Sequence, residues 1–257
     1  MFSYKRFVSR NWGYLSDREQ QKLRKVKVLL AGCGLGSVAA ELATRTGFEN
    51  LILVDGDVVE LSNLNRQAFE KEHLGINKAK ATAEIVKAIN PDAHAEVHTE
   101  FITEKNINSY VSKADIVVNT VDLSSPVFLL LNEIARNQNK PVLFPLNIGW
   151  GGTLIVFTPY SATLKEMIGI TGKMKIGDIY SKLILAIASR ISVSSHLRKM
   201  LEQFKNRSAK NWPYDPQLGI AAYLSASLIV SGLVKLILGL PIKVAPEINR
   251  IDIWSDI

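Results

Sequence analysis

Residues 26–37 read VKVLLAGCGLGS, and residues 50–57 read NLILVDGD. Each opens on an unbroken aliphatic run of strand length, without the apolar–polar alternation of a half-exposed strand. Strands covered on both faces have this pattern, and they belong to parallel sheets flanked by helices. Between the two runs lies SVAAELATRTG, a helical stretch closed by Gly47. Strand, glycine-rich turn, helix, strand is a βαβ unit. It predicts an α/β fold of the doubly wound, Rossmann-like kind with a mostly parallel sheet.

The same reading extends in both directions. Ser16 with Glu19 three residues on marks a capped helix before the first strand. Residues 77–90 have helical periodicity and stop at Asn90-Pro91. AEVHTEFI (95–102) and ADIVVNTVD (114–122) read as the third and fourth strands, followed by a helix around Pro126 to Gln138 and the strand PVLFPLNI (141–148). GGTLIVFTP (151–159) and a stretch near Ile248–Ile253 read as antiparallel C-terminal strands. Between them lie amphipathic helices in Ile179–Phe204, a loop WPYDPQLG (212–219) and an apolar helix. One domain is expected: an N-terminal arm and helix (1–25), an α/β core (26–160), an inserted helical crossover segment (161–213), and the apolar helix with the final strand (214–257).

Composition excludes several classes. With 47% hydrophobic and 21% charged residues, the chain reads as an ordinary folded protein and not a disordered one. Cys33 is the only cysteine, which rules out an internal disulfide and a thiolate zinc site. The N-terminus, MFSYKRFVSRNWGYLSDREQ, has no apolar run after its charges, so a cytoplasmic protein is expected. Leu218–Leu240 is nearly long enough to span a bilayer. It carries Ser225, Ser227, Ser231 and Lys235, and reads as a buried or dimer-facing helix rather than a membrane span. From Thr163 to Pro213 there are ten Lys/Arg against three acids, an excess of +7 that equals the formal charge of the whole chain. Such a segment either attracts an anionic partner or forms a solvated helical face.

Three constellations carry chemistry. Gly32-Cys33-Gly34-Leu35-Gly36-Ser37 joins a strand to a helix; Gly34 and Gly36 let backbone approach a phosphate at the helix N-terminus. Asp55, about twenty residues later at a strand end, is placed to accept hydrogen bonds from ribose hydroxyls. These two do not separate NAD from ATP. The third is DVVELSNLNRQ (57–67) with GINKAKA (75–81), which sets Arg66 and Lys78 beside the loop. A triphosphate needs such cations, Arg66 to grip phosphate oxygens and Lys78 to neutralise the leaving pyrophosphate. A solvated loop is the competing account of the same residues. Among the histidines only His94 and His98 have spacing that hints at metal, and they read more simply as one face of a strand.

The run LVDGDVVELSNLNRQ resembles the signature of the ThiF/MoeB/HesA-type adenylyltransferases, relatives of the ubiquitin-activating enzymes. YKR, the glycine loop, GINKAK with AINP, NTVD, PQLG and APEINRID extend the resemblance along the chain. It implies ATP and Mg2+ as cofactors, a homodimer, and adenylation of a carboxylate: a protein or peptide C-terminus, as in ubiquitin-like proteins, or an acid on a carrier or tRNA. By position, Asp55 would bind ribose, and Ser62, Asn63 and Arg66 would line the triphosphate site. Lys78 would be the catalytic lysine, with Lys80 the competitor. Asp122 would hold magnesium or position the α-phosphate, with Leu123 beside it at the nucleotide. Arg6, with Arg10 as alternative, would reach the partner's ATP. Three features depart from the family: a glycine loop one glycine shorter, Leu123 in place of the common Asn, and no paired CxxC zinc motifs or crossover cysteine. Without that cysteine, adenylation without an internal thioester is expected. Two other readings are a non-catalytic partner or scaffold of the same family and an NAD-binding oxidoreductase, which would share only the loop and Asp55.

Overall fold

The computed structural model describes residues 2–172, 174–191 and 216–253, together with residues 198, 199 and 202. Strands β1 (Lys27–Ala31), β2 (Asn50–Val54), β3 (His94–His98), β4 (Ile116–Asn119), β5 (Val142–Ile148), β6 (Gly151–Phe157) and β7 (Asn249–Asp252) form one sheet in the order β3–β2–β1–β4–β5–β6–β7. The first five run parallel, and β6 and β7 are antiparallel. Strand order reverses between β1 and β4, so a crevice opens there beyond the carboxyl ends of the strands.

Helices cover both faces, which is why β1 and β2 read as unbroken apolar runs. Leu29, Ala31, Ile52 and Val54 face a core completed by α5 (Ile107–Lys113), α6 (Val127–Asn137), α7 (Leu164–Ile168) and α8 (Ile176–Ala188). Val28, Leu30, Leu51 and Leu53 face a second core, closed by α3 (Leu35–Thr46), α4 (Lys78–Ile89) and α9 (Gly219–Leu238). The 20-residue α9 could cross a membrane by length and composition alone. Its Ala226, Ile229 and Leu233 are buried on the sheet, and a Cβ on Gly152 would lie 2.5 Å from the Ser225 nitrogen, so helix and β6 meet backbone to backbone.

At the N-terminus, α1 (Tyr4–Phe7) and α2 (Asp17–Lys25) lie at the opposite end of the sheet from the crevice. The buried Tyr4 hydroxyl donates to the Gly47 carbonyl at 2.7 Å, beyond the last turn of α3. Ser16 and Glu19 form the expected capping box on α2, and Asn77 caps α4.

Several elements differ from the sequence reading. β3 ends at His98, where its pairing with β2 runs out at Val54, and the expected residues 99–102 leave the sheet. Phe101 instead lies against Gly56, where a Cβ would stand 2.5 Å from its ring. In the insertion, α7 was not expected. α8 begins three residues before the expected Ile179; of the expected helix beyond residue 191, residues 198, 199 and 202 are helical and the rest lies outside the described residues. So does residues 212–215 of the expected loop. His98 is engaged by Glu96 at 2.8 Å and by an edge contact with the Tyr110 ring.

Phe128 is fully buried and stacks on Phe144, with ring centroids 6.0 Å apart. Phe128→Ala should destabilise the fold by about 3–5 kcal/mol in urea unfolding, the usual result of emptying a packed aromatic site.

Candidate functional site

A cleft of about 1120 Å³ lies at the carboxyl ends of β1, β2, β4 and β5. Its floor is the turn from β1 into α3. Gly32 has φ +98°, and a Cβ there would stand 2.6 Å from the Thr120 carbonyl oxygen. The Thr120 hydroxyl donates back to the Gly32 carbonyl at 2.7 Å, so the turn is locked to the end of β4. Gly34 is the N-cap of α3 and offers no side chain to that cap. The Ser37 amide turns back to the Gly34 carbonyl at 3.2 Å, which leaves the Leu35 and Gly36 amides at the positive end of the helix dipole. Gly36, in the first turn of α3, faces the end of β4, where a Cβ would meet the Thr120 hydroxyl at 3.3 Å; it serves close packing and does not line the cleft.

Asp55 ties this turn to the next one. Its carboxylate accepts the Cys33 amide at 2.6 Å and the Asp57 amide at 2.8 Å. Burial pushes its pKa up, opposed by those two amides. The expected ribose acceptor thus also fixes the glycine loop in place. Cys33 is fully buried, and burial with the neighbouring Asp55 raises its thiol pKa, so its thiol is held in the neutral form.

The segment after β2 delivers the cations. The Asn77 side chain donates to the Asp55 and Asp57 carbonyls at 2.8 and 3.1 Å while capping α4, which places Lys78 on the first turn of that helix. Lys78 Nζ lies 3.2 Å from Asp57 Oδ2 in the cleft wall, its side chain 12% exposed. Lys80, the competing lysine, is exposed and outside the lining. Arg66 also lines the cleft. Its guanidinium donates to the Ser62 carbonyl at 2.7 Å, to Asn65 Oδ1 at 2.9 Å and to Gln217 Oε1 at 2.9 Å. Asn63 is buried in the lining, its Oδ1 holding the Glu60 amide at 3.0 Å. Ser62 is exposed, stays out of the lining and contributes its carbonyl to Arg66. Asp122 and Leu123 line the side formed by β4, with Asp122 Oδ1 accepting the Ser124 amide at 2.7 Å. Arg6 and Arg10 are exposed on the N-terminal arm, at the far end of the sheet from this cleft.

Three contributors escape the sequence reading as site residues. Gln217 returns to the site within PQLG, and a Cβ on Gly219 would lie 2.7 Å from the Asn65 carbonyl, so this short motif clamps the segment carrying Arg66. Gln67 and Asn147 line the cleft, and among the described residues their buried side-chain oxygens have no hydrogen-bond partner. Asn147 stands out in hindsight as an amide in the otherwise apolar run PVLFPLNI.

The ThiF family model matches residues 8–257, and the chain belongs to that family. It is 38% identical over 139 residues to ubiquitin-like modifier-activating enzyme 5 of Drosophila ananassae, covering 52% of this chain and 35% of that one. It is 33% identical over 126 residues to the SAMP-activating enzyme E1 of Haloferax volcanii, covering 48% of this chain and 46% of that one. The chain thus spans less than half the length of these relatives. Its fold matches the Escherichia coli tRNA N6-threonylcarbamoyladenosine dehydratase solved in complex with ATP, with TM-score 0.67 and 18% identity over 91% of this chain and 95% of that one.

Two glycines of the loop should respond differently to substitution. Gly32→Ala meets backbone at positive φ and should lose about 2 kcal/mol or more in thermal or urea unfolding. Gly34→Ala meets only the end of the Gln67 side chain, at 3.3 Å, and should stay within about 0.5 kcal/mol of the parent.

Proposed function

We propose that the chain is an ATP-dependent adenylyltransferase that activates a carboxylate. The observation that carries this is the convergence, in one cleft, of an open helix N-terminus at Gly34, the Lys78 ammonium, the Arg66 guanidinium and the Asp122 carboxylate. The donor set suits a triphosphate: backbone amides and two cations for phosphate, Asp55 near the ribose, and the unpaired Gln67 oxygen as a spare acceptor. Asp122 suits Mg2+, which binds through one or two carboxylates together with substrate phosphates and supplies charge neutralisation there. An NAD enzyme needs no such pair of cations. The names of the relatives, activating enzymes, support the same reading.

In the proposed reaction a carboxylate oxygen bonds to the α-phosphorus of ATP as the bond to pyrophosphate breaks. An acyl-adenylate and pyrophosphate result. The chain's part is orientation and charge. The α3 N-terminus and Arg66 hold the phosphates, and Arg66 is itself held by Gln217. Lys78 stands where charge grows on the departing pyrophosphate. The single cysteine is buried at the loop with a raised pKa, so the acyl group passes to an external nucleophile without an internal thioester. The acid is a peptide or protein C-terminus, as of a ubiquitin-like protein, or an acid on a carrier or tRNA. The reading includes a cytoplasmic homodimer in which Arg6, remote from its own cleft, serves the partner's ATP.

ATP–pyrophosphate exchange, screened over peptide acids and small acids, is the assay. Lys78→Ala and Asp122→Ala should each reduce exchange by roughly a hundredfold or more, whereas Lys80→Ala should stay within about tenfold of the parent. A Lys78→Ala protein with near-parental exchange contradicts the assignment. Mixing Arg6→Ala with Lys78→Ala subunits should restore part of the activity, because one hybrid site regains both groups. No recovery after demonstrated subunit exchange rules out the shared site.

A further inference from the structure

The cleft has two chemically distinct ends, and a nucleotide accounts for one. The charged end is built from the β1 and β2 turns. The other is aliphatic: Leu123, Val127, Ile148, Ile184, Ile187 and Ile191 line it. Most of these belong to or pack against the hydrophobic core on that face of the sheet, and α8 of the basic insertion supplies two of the six, Ile184 and Ile187. The cationic segment thus turns an apolar side toward the cleft. Three of its cations are engaged within their own surroundings, Lys165 by Glu133, Lys182 by the Gly169 carbonyl and Arg190 by the Ala186 carbonyl. The boundary between the two ends falls at the Asp122–Leu123 bond, one residue from the proposed magnesium ligand. Asn147, at the end of β5, brings a side-chain amide to the same cleft.

A side-chain amide lining a cleft can bond the peptide unit of a ligand. Ligand pockets that are mainly aliphatic with a few polar groups take ligands of matching character. A tail ending in two glycines has no side chain to cover the aliphatic wall. Resting on the adenylation reading, we propose that the acid is an N-acylated α-amino acid, such as a peptide C-terminus, whose last residue bears a bulky aliphatic or aromatic side chain. That side chain occupies the Val127–Ile184 end, the Asn147 side-chain amide donates to the acyl carbonyl before the last residue, and the carboxylate points back toward the phosphates.

The test is calorimetric binding of acetyl-Gly-Leu, acetyl-Gly-Phe and acetyl-Gly-Gly to the full chain with a non-hydrolysable ATP analogue and Mg2+. The apolar-ended peptides should bind roughly tenfold to a hundredfold tighter than acetyl-Gly-Gly, the range expected for burying one such side chain. Val127→Ser and Ile184→Ser should each remove most of that preference while leaving acetyl-Gly-Gly binding unchanged; two variants guard against one that fails to fold. Equal or tighter binding of acetyl-Gly-Gly, or no binding of any of the three, overturns the proposal. Pyrophosphate exchange with the best binder separates the two readings. A preserved preference without exchange removes adenylation and leaves the aliphatic subsite standing. Exchange without a preference removes the subsite and leaves adenylation.

Discussion

The carboxylate of Asp55 is the constraint on which the site depends. It sits at the end of β2, buried, and accepts backbone amides from two different turns, Cys33 in the glycine loop and Asp57 beyond the strand. A buried carboxylate without such partners would protonate or draw in water. With them it holds the loop against the strand end, and the consequences spread outward. Asn77 donates to the Asp55 and Asp57 carbonyls, which sets the start of α4, and the start of α4 sets Lys78 beside Asp57. The glycine loop and the lysine, more than forty residues apart in sequence, are thus positioned through one aspartate and its neighbours.

A second set of contacts brings distant chain back to the same place. PQLG follows the insertion and precedes α9, yet Gln217 grips Arg66 and Gly219 sits against the Asn65 carbonyl. α9 itself is fixed by close backbone approach to Gly152 on β6. The apolar helix, the antiparallel strands and the arginine are therefore mechanically linked. α8 contributes from another direction, with one face in the core and part of it on the cleft. The insertion is part of the site wall as well as a charged surface.

The fold was readable because its strands are covered on both faces: VKVLLAG and NLILVDG could hardly be anything but central parallel strands, and the caps at Ser16, Asn77 and Gly47 mark helix ends in local chemistry. The shortfall at β3 arose because strand length is set by the partner: β2 ends at Val54, so the apolar Phe101 and Ile102 had no edge to pair with. For the site, local motifs placed Asp55, Lys78, Arg66 and Asp122 around one cleft, since all lie at the ends of elements whose order is known. Ser62 lies outside the cleft lining and its neighbour Asn63 within it, a difference on a tight turn that only three-dimensional geometry shows. Gln217, 151 residues from the Arg66 it holds, and the aliphatic wall of α8 depend on contacts between distant parts of the chain, which no local pattern reports.

Underlying all of this is the claim that the cleft takes a triphosphate nucleotide. Thermal unfolding of the purified chain, with magnesium-ATP and with NAD over the same concentration range, tests it most directly. A ligand that binds only the folded state raises the melting temperature in proportion to its occupancy. A saturable rise with ATP and none with NAD is the result expected. A rise with NAD, or none with ATP at millimolar concentration, contradicts the account.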